Sequence, residues 1–348
     1  MALFSSAPSS LCILRLSAIG DVCNTIAVVQ MIQKQWPTTR ITWITGKLEA
    51  ELIRPLPGID VIEFDKKEGF RAYFKLWKTL SKQRFDALLH CQYALRASVA
   101  TLGIKARYTL GFDKDRSQDF QTLFTNVKVP SPQDLPHVLD GLLAFAQTLG
   151  VTVQEPTWTI PITTADNNWA TQHIAEGNKN LVIVPGASKS YKNWTSNGYA
   201  DVIKHAYNNG WEIILAGSPS QVEVDLANNI MEQIDTPIRN LVGESSLMEM
   251  LSLIKQADLV IAPDTGPVHM ANAVKTPVIG LYAHHNPERT GPYHFRKHVV
   301  SVYKEALDAE RGQSTVQWRT RVKDKSAMER IQSSQVIDMF DTVTSSLT

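Results

Sequence analysis

The sequence predicts an α/β fold made of two doubly wound, Rossmann-like domains. Three observations lead there: short apolar runs alternate with segments of helical period, that alternation runs through the chain twice, and the unusual loops follow strands in both rounds. The first round places strands at 11–16 (LCILRL), 40–45 (RITWIT), 61–64 and 86–90, with helices at 21–36, 47–56 and 74–83 between them. Strands written as nearly unbroken apolar runs are covered on both faces, as in a parallel sheet. Pro130, Pro132, Pro136, Pro156 and Pro161 then crowd an irregular stretch around one helix at 137–150. The second round places strands at 180–186, 211–217, 238–243, 258–264 and 277–282, with helices at 196–210, from Gln221, at 246–257 and at 266–274. The domains are accordingly drawn at 1–165 and 166–325, with 326–348 a terminal helix that packs back on the first domain.

Bulk properties bound the function. A chain of 348 residues carries a soft prior of two domains. Its 35 basic residues nearly cancel 34 acidic ones, which argues against a surface that grips nucleic acid. Cys12, Cys23 and Cys91 form neither a disulfide framework nor a zinc spacing, so a reducing compartment is expected. No apolar run is long enough to span a bilayer, and the opening MALFSSAPSS lacks a basic signal-peptide region. A cytoplasmic protein with a short, unattached N-terminal tail is expected.

In open parallel sheets, ligands bind beyond the carboxyl ends of the strands. SAIGD, PGASKSYKNW, AGSPS and APDTGPVH all follow predicted strands. Thr265 and Gly266 lead into a helix with Pro267 in its first turn, and the free N–H groups of such a helix end suit a phosphate. Asp264 would repel that phosphate and is better placed to accept from sugar hydroxyls; the same loop also reads as a plain helix cap with His269 packed on the helix. Ser188, Lys189 and Lys192 supply a loop with cations that a diphosphate would need. Neither G-x-G-x-x-G nor a P-loop occurs, and no Asp-x-Asp pair offers a metal site, so no metal and no cofactor are expected.

The ordered set LRLSAIGDV, PGASKSYKNW and LVGESSLMEMLSLIKQADLVIAPDTGPVHMANAVKTPVIGLY resembles glycosyltransferase family 9, the ADP-heptose:lipopolysaccharide heptosyltransferases, over residues 11 to 300. LLHCQYALRAS and GFDKDRSQDFQTLFTN further resemble the branch that adds the first heptose to the Kdo sugar of lipid A. The resemblance implies a GT-B fold, two Rossmann-like domains facing across a cleft, with a terminal helix returning to the first. It implies an ADP-heptose donor, a Kdo-lipid A or related lipopolysaccharide core acceptor, and a peripheral location on the inner face of the inner membrane. By that resemblance Asp21 is the general base, and Ser188 and Lys192 lie near the donor phosphates. Asp264, Thr265, Gly266 and His269 form the donor-sugar and phosphate loop, and Glu223 contacts the ribose. Asn286 stands where the resemblance leads one to expect an acidic residue.

A carboxylate suits transfer with inversion, which needs a base for the acceptor hydroxyl. Asp21 is equally well suited to capping the first helix, and Gly20 lets backbone approach the acceptor. Eight basic residues against four acidic between 81 and 130 favour an anionic acceptor at an anionic membrane surface, with Arg96 and Arg107 as preferred contacts. Two other classes share these loops: a sugar-nucleotide epimerase of the same architecture, and a non-catalytic two-domain protein that binds sugar nucleotides.

Overall fold

A computed structural model describes residues 2–132, 137–312 and 317–346 and divides the chain into two units, Met1–Pro161 and Ile162–Thr348. Pro136 and the last two residues of the predicted terminal helix lie outside the described residues.

The first unit runs β1 (Ser10–Leu14), α1 (Ile19–Gln35), β2 (Arg40–Thr45), α2 (Ala50–Ile53), β3 (Ile59–Glu63), α3 (Phe70–Leu80), β4 (Phe85–His90), α4 (Leu95–Thr101), β5 (Ala106–Phe112), β6 (Val127–Val129) and α5 (Val138–Leu149). Its strands form one parallel sheet in the order β3-β2-β1-β4-β5-β6. The central strand β1 is buried throughout, with Leu11 opposite Ile41 on one side and Ala87 on the other. Helix α3 presses Ala72, Leu76 and Leu80, spaced i, i+4, i+8, into a core that includes Leu14, Ile44 and Leu88.

The N-terminal tail is docked rather than unattached. Leu3 and Phe4 donate backbone hydrogen bonds to Thr148 and Leu149 at 3.0 and 2.9 Å, and the Phe4 ring meets Trp36 and Tyr108 edge-on. Gly150 makes this approach possible: it ends α5 at φ +115, and a Cβ there would lie 2.3 Å from the Phe4 carbonyl.

The second unit repeats the plan with α6 (Thr164–Thr171), β7 (Lys179–Ile183), α7 (Ser196–Asn208), β8 (Trp211–Gly217), α8 (Gln221–Met231), β9 (Arg239–Val242), α9 (Leu247–Gln256), β10 (Leu259–Pro263), α10 (Gly266–Val274), β11 (Val278–Tyr282), α11 (Pro287–Thr290), β12 (Val299–Ser301), α12 (Tyr303–Arg311) and α13 (Ser333–Ser345). Its sheet order, β12-β11-β10-β7-β8-β9, is the order of the first sheet read from the other edge. Both are the doubly wound arrangement, with strand order reversing between β1 and β4 in one unit and between β7 and β10 in the other.

The second unit begins four residues earlier than the sequence boundary because Thr163 caps α6 through a hydrogen bond from the Asp166 N–H, and α6 packs on α9 through Asn167, Ser252 and Gln256. Polar α6 has no apolar stripe to announce it. The terminal helix also differs from expectation. Its apolar stripe, Val336, Phe340 and Val343, is buried in the core of the second unit, where Phe340 lies 5.3 Å from the Trp211 ring and Asp341 2.8 Å from His205 Nε2. The α7–β8 face supplied the apolar partner that the sequence reading sought on the first domain. Among the described residues, no helix is long and apolar enough to cross a membrane.

Candidate functional site

Each unit carries a cluster of ionised groups at its own switch point, where diverging loops leave a crevice beyond the strands' carboxyl ends. In the first unit, β1 runs on into Arg15, a cation in an otherwise apolar stretch and only 7% exposed at its side chain. A buried guanidinium must be paired and hydrogen-bonded to be tolerated. Arg15 donates Nη1 to the Cys91 carbonyl beyond β4 and pairs through Nη2 with Asp21 Oδ2. Gln92 ties the same loops together: its Oε1 accepts from the Leu16 N–H at 2.8 Å, and its Nε2 donates to Ser17 Oγ at 3.3 Å.

Asp21 is the third residue of α1 rather than its N-cap, which is Ala18. Its Oδ2 also accepts from the Ala18 N–H at 3.4 Å, a back-reaching contact that satisfies one orphan donor at the helix start. Oδ1 has no partner among the described residues, and the side chain is 35% exposed. Arg15 therefore fixes one oxygen and leaves the other presented. Gly20 is buried at the second position of the helix.

Beside this loop lies a cavity of about 590 Å³ lined by Ser17, Lys47, Glu49, Lys66, Lys67 and Arg96 together with Leu16, Leu48 and Phe64. Burial pushes the Glu49 carboxyl up, against the pull of its own backbone N–H and the nearby cations Lys66, Arg15 and Arg96. Arg96 thus joins the Asp21 side of the unit. Arg107 does not: it is the second residue of β5, at the amino end of that strand, with its guanidinium 5.0 Å from the Tyr108 ring centre. In a parallel sheet the amino ends lie opposite the crevice.

In the second unit, Lys192 ends a short 3-10 turn beyond β7. Its Nζ donates to Asp264 Oδ2 at 2.8 Å and to the Asp264 carbonyl at 3.1 Å, joining the loops beyond β7 and β10. His285, beyond β11, donates through Nδ1 to the same Oδ2. The carboxylate is 15% exposed and Lys192 18%. Burial alone would raise the Asp264 carboxyl, but the His285 hydrogen bond and the Lys192 charge outweigh it and hold the group well below the usual carboxylate range. Burial lowers the His285 imidazole; the Asp264 hydrogen bond and charge pull it up, and Lys192 and Arg321 push it down, so the ring sits below its ordinary value. A neutral ring against an acceptor-only carboxylate carries its proton on Nδ1.

Thr265 caps α10, with its hydroxyl donating to the Pro263 carbonyl at 3.0 Å, and Gly266 opens the helix. Pro267 follows Gly266 in the first turn, with His269 two residues further on. Ser188 is exposed on the loop that bears Lys192. Glu223 is buried, with Oε2 accepting from the Ser218 N–H at 2.8 Å and Oε1 from the Ser218 hydroxyl at 2.6 Å. It braces the loop beyond β8, and a Cβ on Gly186 would meet its Cγ at 2.3 Å. Asn286 caps α11 by accepting from the Glu288 N–H at 3.1 Å, a task for which Asn is as good as Asp.

Sequence reading missed Arg15 and His285. The signal for Arg15 was available, since a charge inside a buried apolar run demands a partner; for His285 none was, because its role depends on a loop that reaches Asp264 only in the fold.

The profile of glycosyltransferase family 9 (heptosyltransferase) matches residues 73–318. The chain is 45% identical over 339 residues to the lipopolysaccharide core heptosyltransferase OpsX of Haemophilus influenzae, covering 97% of both sequences. Among solved structures it is similar to the family 9 glycosyl transferase of Veillonella parvula, with a TM-score of 0.80 and 19% identity over 99% of both chains. It is also similar to E. coli heptosyltransferase WaaC with ADP, with a TM-score of 0.72 and 17% identity over 96% of this chain and 99% of that one. The two like-ordered parallel sheets are those of the GT-B fold. With the sequence matched along nearly its whole length and the fold in agreement, the chain belongs to glycosyltransferase family 9, the heptosyltransferases, and is a glycosyltransferase.

Proposed function

We propose that the chain transfers heptose, with inversion, from ADP-heptose to the Kdo-bearing inner core of a lipopolysaccharide precursor at the cytoplasmic face of an anionic membrane. The observation that carries this reading is the Lys192–Asp264–His285 cluster at the β7/β10 switch point, beside the amino end of α10. A sugar nucleotide needs positive charge at its diphosphate and acceptors at its sugar hydroxyls. Lys192 and the α10 N–H groups supply the first and Asp264 the second. As the bond from the anomeric carbon to the distal phosphate oxygen breaks, negative charge grows on the ADP that leaves, and an ammonium placed there stabilises the transition state more than the bound substrate. Lys192 can hand its charge to a phosphate oxygen because His285 stays hydrogen-bonded to Asp264.

The acceptor hydroxyl attacks the anomeric carbon from the opposite face, and its proton goes to Asp21. Arg15 holds Oδ2, so Oδ1 is the oxygen that receives it. Lys66, Lys67 and Arg96 in the neighbouring cavity suit the carboxylate and phosphates of a Kdo-containing acceptor. The OpsX relative is described as a lipopolysaccharide core heptosyltransferase, and its 45% identity across 97% of the chain supports the same class of acceptor.

The test incubates the protein with ADP-heptose and Kdo-lipid A and follows acceptor mass and ADP together. One heptose gained per ADP released is the expected result. An altered nucleotide sugar with no acceptor gain, or donor binding without turnover, would overturn the proposed transfer to this acceptor.

A further inference from the structure

Exposed apolar surface is distributed unevenly along this chain. Of ten large hydrophobic side chains exposed among the described residues, seven fall between Leu48 and Leu123 in the first unit: Leu48, Phe70, Phe74, Leu95, Leu102, Phe120 and Leu123. Phe70 and Phe74, 82% and 66% exposed, stand one turn apart on the outer face of α3. Scattered exposed apolar residues need no account, but these sit on consecutive, interlocked segments. Tyr73 and Trp77 of α3 donate to the carbonyls of Arg96 and Ala100 in α4, at 3.3 and 3.0 Å. The Leu95 N–H at the start of α4 donates to Asp119 Oδ2, next to Phe120. The rings of α3 run together, with Phe74 5.7 Å and Tyr73 5.8 Å from Trp77.

Charge along α3 and its flanks is mostly positive, with Asp65 before Lys66 and Asp119 beside Phe120 as the acidic neighbours. From Lys66 to Arg84 the sequence has seven basic residues and one acidic, Glu68, which is paired with Lys75 at 2.6 Å. Arg71, Lys75 and Lys78 alternate with the exposed phenylalanines on α3, while Ala72, Leu76 and Leu80 face the core. Phenylalanine and half-buried tryptophan and tyrosine, set among lysine and arginine on a helix lying along the surface, match the interfacial zone of a bilayer whose headgroups are negative. A site for a soluble polyanion would not need Leu95, Leu102 and Leu123, and a second copy of this face would meet like charge.

We propose that α3, with the exposed leucines of α4 and the Phe120–Leu123 turn, is a membrane-docking surface for an anionic phospholipid bilayer. The surface borders the cavity holding Lys66, Lys67 and Arg96, so a glycan anchored in that bilayer by its own acyl chains would reach the cavity without leaving the membrane. This rests on the proposed lipid-linked acceptor.

The experiment sediments the full chain with vesicles of phosphatidylcholine alone or in equal mixture with phosphatidylglycerol. Wild type is expected to sediment with the mixed vesicles and not with the neutral ones, and to be released as ionic strength rises from about 0.1 M to about 1 M and the screening length shrinks from about 10 to about 3 Å. Phe70→Ser/Phe74→Ser and Arg71→Glu/Lys78→Glu should each weaken binding about tenfold or more, with unchanged thermal melts, since these side chains are exposed. Sugar transfer to a deacylated, soluble acceptor should stay within about twofold of wild type in both variants. Equal binding by wild type and variants overturns the proposal. So does a wild type that ignores anionic vesicles, including one that instead forms a dimer lost in the phenylalanine variant. Vesicle binding without sugar transfer would sink the enzymatic reading and leave the surface standing; transfer without vesicle binding would do the reverse.

Discussion

The two switch points share a strand order and use charge in opposite ways. In the first unit the cation is the buried partner: Arg15 is anchored to the Cys91 carbonyl and Asp21 stands partly in the open. In the second the anion is the shared partner: Asp264 is held by both Lys192 and His285. The charge with two partners in each cluster is the fixed one, because its desolvation is offset only while those partners stay in place. One crevice therefore presents a carboxylate, as proton removal requires, and the other an ammonium, as a leaving diphosphate requires. Identical topology sets the position of a site, and the sign of the fixed charge sets what the site offers.

Breaking the first half should have the largest effect on turnover itself. Asp21→Asn keeps an oxygen for Arg15 but removes the base, and kcat should fall by about 10² or more with little change in donor affinity. Steady-state kinetics beside a thermal melt checks this, and near-normal turnover would return Asp21 to a purely structural role at the start of α1. Breaking the second half comes next. Lys192→Ala should lower kcat and raise donor KM, together costing about 2 to 4 kcal/mol of transition-state stabilisation. Lys192→Arg should restore only part, because a planar fork does not replace a compact ammonium.

A subtler change sharpens the contrast. If His285 frees Lys192 by keeping Asp264 hydrogen-bonded, His285→Ala should tighten the lysine's hold on Asp264 and raise donor KM about tenfold, the scale of one hydrogen bond to a charged group. His285→Asn, whose amide can reach the same oxygen, should recover most of this; equal KM in all three proteins would contradict the role.

The smallest effect is on stability and belongs to the first unit. His90, at the end of β4, is kept neutral by burial and by the Arg15 charge, its imidazole lowered from 6.5 to about 3. The folded chain refuses a proton that the unfolded chain accepts below pH 6.5. Stability is therefore lost as pH falls from 6.5, by about 1.4 kcal/mol per pH unit once well below it. His90→Gln should flatten the fall of Tm between pH 6.5 and 4.5 relative to wild type; parallel curves would mean that other groups carry the acid sensitivity.

The apolar runs and their alternation made both sheets legible from sequence, since fully buried strands such as β1 and β10 carry their own signature. β5 and β6 were missed because their exposed positions break the apolar pattern, and α6 and α12 because one is polar and the other densely charged. Lys192 and Asp264 were legible as loop residues of the right chemistry, but their union was not, being made across 72 residues by adjacent parallel strands. That Arg107 lies at the amino end of its strand was not legible, because β5 itself went unread.

By itself, then, the sequence determined what depends on local pattern: two rounds of strand and helix, loops of small and charged residues after the strands, and a carboxylate at the first helix. Only the tertiary structure decided which charges meet. Arg15 reached the Cys91 carbonyl because β1 lies beside β4, and His285 reached Asp264 because β10 lies beside β11. Pairing of buried charges acts over a few ångströms, and strand order, not distance along the chain, sets which groups come that close.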